Sequence, residues 1–243
     1  PQSLAVIGAS TRPGKVGHDI FVNILKGGYR GTLYPVNPRA RSVSSVRAYP
    51  NIAEIPDDVD LAMIILPPGA ALAATQEAIE KGTKGIVIVS AGFREVGKDG
   101  LAVENKIVSL CRQADVRLVG PNCMGIFSAS GKLSLCFPDM PKSGSISFIS
   151  QSGALCTSVL DFAADRDFGF SKFISIGNKA DVDELDLLHY LHEDPNTEVI
   201  MIYLEELRRG SEFIDTAKAI TAGYRRTPIL VIKSGRTRAG AKA

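Results

Sequence analysis

The stretch AVIGASTRPGKVGHDI, residues 5–20, passes from a short apolar run into a turn with Gly8, Gly14 and Gly17, and then into helical spacing. This order predicts a strand, a tight turn and a helix, which is the first unit of a doubly wound α/β sheet. The first turn of such a sheet offers free backbone amides and a helix N-terminus, and both attract an anion. The glycines are spaced too widely for a GxGxxG motif, so a purely structural turn is the alternative.

Apolar runs that end in Gly, Pro, Asn or Ser recur along the whole chain, including LAVIGA, LAMIILP, SISFISQSG and EVIMIYLEE. Most are separated by segments of helical spacing, and this alternation predicts parallel α/β sheets. Residues 126–144 interrupt the alternation, because they are rich in Ser, Gly and Pro and have no helical period. We therefore predict two doubly wound domains, residues 1–125 and 145–243, joined by residues 126–144.

The composition of the 243 residues, 45% hydrophobic and 22% charged, is typical of a globular protein with a large core. The net charge of +2 is too small to indicate a nucleic-acid or membrane partner. No apolar run approaches the roughly 18 residues of a membrane span. The four cysteines have neither metal-site spacing nor the density of a disulfide framework, so we expect no metal, reduced thiols and a cytoplasmic location. Both ends of the sequence resemble cut ends of a longer chain.

The predicted second strand and the loop after it read LYPVNPRARS, residues 33–42. An NAD site places an acidic residue here to bind the ribose hydroxyls, and this segment has none. Arg39 and Arg41 suit a phosphate on the ribose instead, as in NADP or in the 3′-phosphorylated ADP of coenzyme A. Arginines in a solvated loop are the alternative.

Two further predicted strands end in VSAGFREVG, residues 89–97, and GPNCMG, residues 120–125. These ends carry small residues and few acids or bases. This composition favours a role in binding a ligand rather than in catalysing its reaction. Cys123 is a candidate nucleophile, but no histidine lies near it in the sequence, so we favour a packing role.

The segment SISFISQSGALCTSVL, residues 145–160, repeats the order of strand, turn and helix. The free amides that follow Ser150 and Ser152 predict a second anion site. Serine is also a common first residue of any helix, so a simple capped helix is the alternative.

Together the motifs VIGAS, GKVG, PVNP, SAGF, GPNCMG, FISQSGAL, SIGN and KSGRT resemble the α-subunit part of the NDP-forming acyl-CoA synthetases. This family is similar to succinyl-CoA synthetase and includes the ADP-forming acetyl-CoA synthetases. The resemblance covers nearly the whole chain in order. It implies a Rossmann-like CoA-binding domain at 1–125 and a flavodoxin-like, succinyl-CoA-synthetase-type ligase domain at 145–243, incomplete at its C-terminus.

The same resemblance implies a set of residues that contact coenzyme A. They are Gly8, Ser10, Arg12, Lys15, Asn37, Pro38, Arg39, Ser90, Gly92, Pro121 and Asn122. It also implies that the helix N-terminus at Ser152 and Gly153 steadies a phosphorylated histidine, and that Glu205 orients or stabilises that histidine. Glu206 is a second candidate for this carboxylate, and an ordinary solvated acid is the alternative for both.

None of the three histidines, His18, His189 and His192, lies in the glycine-rich setting that the family uses for phosphorylation. The family pattern continues past KSGRTRAGAKA into a segment similar to Ser-His-Thr-Gly. We therefore expect these 243 residues to bind coenzyme A but not to complete a phosphoryl relay alone.

The resemblance implies an acid–CoA ligase that makes acyl-CoA, with acetate or another small carboxylate as the acid, through an acyl phosphate and a phosphohistidine. ATP or ADP and Mg²⁺ would bind a partner β-type ATP-grasp domain, fused or separate, in an oligomer. A second hypothesis is a CoA-sensing or acyl-CoA-sensing region of a protein lysine acetyltransferase. A third, an NADP-dependent oxidoreductase, lacks any recognisable hydride-transfer residues.

Overall fold

The computed structural model describes residues 1–138 and 141–235. The end of the predicted second domain and the last two residues of the KSGRT motif lie outside the described residues. Within the described ranges no helix is long and apolar enough to cross a membrane.

The first half of the chain is built on a five-stranded parallel sheet. The strands are β1 (Ser3–Ile7), β2 (Thr32–Val36), β5 (Leu61–Ile64), β6 (Gly85–Ile88) and β7 (Arg117–Val119), in the order β2-β1-β5-β6-β7. A small antiparallel pair, β3 (Ser42–Val43) and β4 (Val46–Arg47), follows β2. The helices are α1 (Val16–Lys26), α2 (Pro68–Glu80) and α3 (Lys98–Gln113), with a short 3-10 helix at Arg94–Val96.

The second half is built on a six-stranded sheet. The strands are β8 (Ile126–Ser128), β9 (Leu133–Ser134), β10 (Ser143–Ser150), β11 (Phe170–Ser175), β12 (Val199–Leu204) and β13 (Ile229–Lys233), in the order β13-β12-β10-β11-β8-β9. The helices are α4 (Gly153–Arg166), α5 (Glu184–Glu193) and α6 (Gly210–Ala222). All pairs are parallel except β8 with β11 and with β9.

The prediction of two doubly wound α/β units is confirmed by both sheet orders, because the strand order reverses next to β1 in one sheet and next to β10 in the other. The segment predicted as a connection does more than connect, since β8 and β9 pair in the second sheet. β10 begins at Ser143, two residues before the start predicted for the second domain. The domain boundaries themselves stay a prediction.

Apolar side chains are buried on both faces of the first sheet. Ala5 and Ile7 belong to one core cluster, whereas Leu4 and Val6, which alternate with them, belong to another. Parallel strands covered by helices on both faces need this near-continuous apolar run, which explains why β1 reads as LAVI. A further pair of core clusters covers the faces of the second sheet.

The two sheets are joined where the chain after β7 runs alongside the chain after β11. The amide of Val182 donates to the carbonyl of Leu118 (3.1 Å), and the amide of Ala180 donates to the carbonyl of Gly120 (3.0 Å). A Cβ atom on Gly177 would lie 2.3 Å from the carbonyl oxygen of Pro121, so only glycine fits this contact. The segments that follow β7 and β11 are thereby held side by side.

Candidate functional site

The turn after β1 packs closely against the end of β5 and the start of α1. Gly8 has a φ of +95°, and a Cβ atom there would lie 2.5 Å from the carbonyl oxygen of Ile65. A Cβ atom on Gly17 would lie 2.1 Å from the carbonyl oxygen of Gly8. Two glycines therefore let α1 begin directly against the turn, so the N-terminus of the helix lies beside it.

A cavity of about 800 Å³ opens above this turn and is rich in positive charge. Its lining includes six of the predicted contacts: Gly8, Ser10, Arg12, Lys15, Asn37 and Arg39. Arg41 adds a fourth cationic side chain, and no Asp or Glu is among the described residues of the lining. Four cations beside a helix N-terminus attract a ligand with several phosphate charges.

Asn37 is already engaged within the chain. Its Nδ2 donates to the carbonyl of Ala9 (2.7 Å), and its Oδ1 accepts from the amide of Arg39 (2.8 Å). The side chain thus fastens the loop after β2 to the turn after β1 and sets the position of Arg39.

A second cavity, of about 630 Å³, lies between the two halves of the molecule. It includes all three residues predicted for the chemical step, Ser152, Gly153 and Glu205, together with Ser90 and Asn122 from the first half. Val16 and Ile65 line both cavities, so the two adjoin. The second cavity lies at the strand-order reversal of the second sheet, beyond the carboxyl ends of β10 and β12, which is where doubly wound sheets bind ligands.

The start of α4 is shaped by two serines. Ser150 Oγ donates to the carbonyl of Ser152 (2.9 Å) and accepts from its amide (3.1 Å), and Ser152 Oγ accepts from the amide of Leu155 (3.4 Å). A Cβ atom on Gly153 would meet nothing within 4 Å. The helix therefore presents an uncrowded N-terminus to the cavity, as an approaching anion requires.

Three of the predicted CoA contacts lie outside these two linings. Pro38 lines an adjoining, mostly apolar cavity of about 460 Å³. The amide of Gly92 donates to Glu95 Oε1 (2.5 Å), and the carbonyl of Pro121 accepts from the amide of Asn178 (2.9 Å). Contact of any of the eleven predicted residues with a ligand stays a prediction.

Cys123 lines the second cavity, but it is not placed as a nucleophile. Its Sγ donates to the carbonyl of Ile88 (3.3 Å), and burial raises the pKa of the thiol to about 12. The thiolate is therefore scarce near neutral pH, in agreement with the packing role favoured from the sequence.

Two of the three histidines are paired with neighbouring side chains. His18 Nδ1 lies 2.9 Å from Asp19 Oδ1, His192 Nδ1 lies 3.0 Å from Thr227 Oγ1, and His189 is exposed. None of them is among the described residues that line the second cavity.

Gln151 and Phe137 are among the cavity residues that the sequence reasoning did not single out. Gln151 follows β10 inside the quoted motif FISQSGAL, so its position directly after a strand was an available signal. Phe137 lies in the predicted connection, and its loop is held by Asn23 Nδ2, which donates to the carbonyls of Cys136 (3.0 Å) and Pro138 (2.8 Å). A local sequence pattern carries no information about hydrogen bonds between residues more than a hundred positions apart.

Comparison with known proteins agrees with this geometry. The family model described as CoA binding domain matches residues 2–129, and the one described as succinyl-CoA ligase like flavodoxin domain matches residues 143–243. Acetate–CoA ligase [ADP-forming] II subunit alpha from Pyrococcus furiosus is 41% identical over 243 residues, which cover all of this chain and 52% of that subunit. The chain belongs to the NDP-forming acyl-CoA synthetase family.

Other members of the synthetase family match over the same extent. Acetate–CoA ligase [ADP-forming] I from Archaeoglobus fulgidus is 41% identical over the whole chain, which covers 35% of that protein. The solved structure of dinucleotide forming acetyl-coenzyme A synthetase 1 from Ca. Korarchaeum cryptofilum, in complex with phosphate and ADP, has a TM-score of 0.93 and 40% identity. It is covered to 52%, and this chain to 100%. The chain thus spans about half, or less, of the length of these three relatives, and the predicted family and fold are confirmed.

Proposed function

We propose that the chain is the CoA-binding α-type portion of an ADP-forming acid–CoA ligase. The observation that supports this most strongly is the continuity of the two cavities across Val16 and Ile65. One cavity offers cations and a helix N-terminus to the phosphates of a nucleotide, and the other joins an uncrowded helix start to a carboxylate. An extended ligand with a nucleotide at one end and a reactive group at the other suits both.

Coenzyme A fits this division along its length. The 3′-phosphate and pyrophosphate lie among the four cations of the first cavity, and the adenine ring lies against the apolar wall that includes Pro38. The pantetheine arm crosses Val16 and Ile65, so that the thiol enters the second cavity beside Ser90 and Asn122. Gly92 and Pro121 support the adjoining strand ends.

The chemistry we propose for the second cavity joins the thiol to an acyl group. The CoA sulfur attacks the acyl carbon of an acyl phosphate, the C–S bond forms, the C–O bond to phosphate breaks, and phosphate leaves with the thiol proton. The helix N-terminus at Ser152 and Gly153 receives phosphoryl oxygens, and Glu205 accepts a hydrogen bond from the imidazole of a phosphohistidine. That histidine belongs to the larger protein.

The larger protein that we propose contains a β-type ATP-grasp domain, fused or separate, which binds ATP or ADP with Mg²⁺. Acetate or another small carboxylate is the acid, and the assembled enzyme is an oligomer in the cytoplasm. The ligase is favoured over an acyl-CoA sensor because the curated relatives that match the whole chain at about 40% identity are named as ADP-forming CoA ligases.

The full-length protein, incubated with ATP, Mg²⁺, CoA and a panel of small carboxylic acids, tests this proposal. Chromatography should show acyl-CoA and ADP formed in equal amounts. Formation of AMP in place of ADP, or absence of acyl-CoA with every acid, would overturn it. Transfer of an acetyl group to a lysine peptide, with no acyl-CoA synthesis, would favour the sensor.

A further inference from the structure

The backbone of Glu205 and Glu206 is held by three side chains from other parts of the chain. Gln151 Oε1 accepts from both amides, at 3.0 Å each. Lys233 Nζ donates to the carbonyl of Glu205 (2.8 Å), and Lys179 Nζ donates to the carbonyl of Glu206 (2.6 Å). All four backbone hydrogen-bonding groups of the two residues therefore have side-chain partners.

This arrangement is unusual for an exposed loop, whose backbone groups water can satisfy. One of the three side-chain partners, Lys179, is also buried. The Lys179 ammonium is buried and forms an ion pair with the buried carboxylate of Glu184 (2.9 Å), so its charge is compensated and its position is fixed. We call Gln151, Lys179 and Lys233 the loop clamp.

The two carboxylates that the loop carries differ in their surroundings. Glu206 Oε2 lies 3.3 Å from Arg208 Nε, which draws that side chain into a surface ion pair. Glu205 lines the second cavity and takes part in none of the ion pairs found among the described residues. The clamp thus leaves one of two neighbouring acids available to the cavity.

We propose that Gln151 is a positioning residue that directs the Glu205 carboxylate into the second cavity through the two backbone amides it holds. The proposal rests on the proposed ligase function of that cavity. A carboxylate that must meet one imidazole nitrogen gains from a rigid backbone, because displacement by about 1 Å can cost on the order of 100-fold in rate. The clamp supplies that rigidity without occupying the carboxylate itself.

A double-mutant cycle in the full-length enzyme tests this role. Gln151→Met keeps the length of the side chain and removes the acceptor, so kcat should fall by at least about 10-fold, with the KM for CoA unchanged. In a Glu205→Gln background the same substitution should change kcat by less than about 2-fold, because its effect passes through Glu205. If Gln151 had only a structural role, the losses in kcat caused by the two substitutions would multiply in the double variant.

Ser145→Ala is the matched control, since it removes one side-chain hydrogen bond, to Glu198 (2.7 Å), at the opposite end of β10. The control variant should leave kcat unchanged.

If Gln151→Met does not fold, Lys233→Met takes its place in the double-mutant cycle, because Lys233 is exposed. Its substitution should lower kcat in the wild-type background and change kcat little in the Glu205→Gln background.

Multiplicative losses, or an unchanged kcat in Gln151→Met, would overturn the positioning role while the active wild-type enzyme upheld the ligase function. A wild-type enzyme that makes no acyl-CoA would overturn both.

Discussion

The start of α1 presses so closely on the turn after β1 that a Cβ atom on Gly17 would lie 2.1 Å from the carbonyl oxygen of Gly8. Val16 and Gly17 also line the cation-lined cavity, so this contact holds the N-terminus of α1 against it. The anion site therefore depends on the absence of one side chain.

Gly17→Ala should damage both stability and binding. The added methyl group forces the helix away from the turn, at a cost of about 1–3 kcal/mol in the free energy of unfolding, as overpacking usually does. CoA affinity should fall with it, as measured by calorimetric titration of folded protein. Gly69→Ala, in α2 with nothing within 4 Å of the new Cβ, is the control; it should hold or raise stability and leave CoA affinity unchanged. Equal behaviour of the two variants would refute the steric explanation.

Arg39→Gln and Arg41→Gln should show which arginine contacts the 3′-phosphate, when the affinities for CoA and for 3′-dephospho-CoA are compared. Loss of a charge-assisted hydrogen bond costs about 1.5–3 kcal/mol, so CoA should bind roughly 10- to 100-fold more weakly in the variant whose arginine contacts the 3′-phosphate. Dephospho-CoA should bind that variant and the wild type alike. Arg30→Gln, outside the cavity lining, is the control. Equal weakening for both ligands in both variants would place the 3′-phosphate elsewhere.

Gly153→Ala should separate activity from stability. The new Cβ atom meets open space within the protein, and alanine stabilises a helix relative to glycine by up to about 1 kcal/mol. The thermal midpoint should therefore hold or rise. Acyl-CoA formation by the full-length enzyme should nevertheless fall, because the methyl group enters the space where the phosphoryl group must approach the helix. Unchanged activity would show that no ligand comes so near.

Asp194→Asn should destabilise the second half of the protein. Burial alone would raise the pKa of Asp194, but hydrogen bonds from Lys172, Thr197 and Asn196 outweigh it and hold the pKa well below the ordinary 3.8. Stability from this lowered pKa is present above the unfolded value and is lost as the pH falls toward the folded one. The variant leaves the buried Lys172 ammonium without its counter-ion, which costs about 3–5 kcal/mol.

Denaturant titrations between pH 7 and pH 2 measure both effects for Asp194. The variant should unfold more easily at pH 7 and lose less stability on acidification than the wild type. Asp167→Asn, in an ion pair whose two side chains are exposed, should behave like the wild type. A variant as stable as the wild type at pH 7 would show that the buried pair contributes nothing.

The parts of the site that were predictable from the sequence are those fixed by position along a strand. Gly8, Ser152 and Glu205 each follow an apolar run, and the carboxyl ends of parallel strands meet at one edge of a sheet. β8 and β9 were not recognised as strands, because two or three residues carry no detectable period. The loop clamp was equally invisible, since Gln151 and Lys233 reach Glu205 across 54 and 28 residues.

Isothermal titration of these 243 residues with CoA, 3′-dephospho-CoA and NADPH, at one fixed salt concentration, is the measurement to make first. The cation-lined cavity predicts saturable CoA binding that weakens when the 3′-phosphate is removed, and weaker binding of NADPH than of CoA. Preference for NADPH, or no binding of CoA to the folded protein, would contradict the assignment of this cavity to coenzyme A.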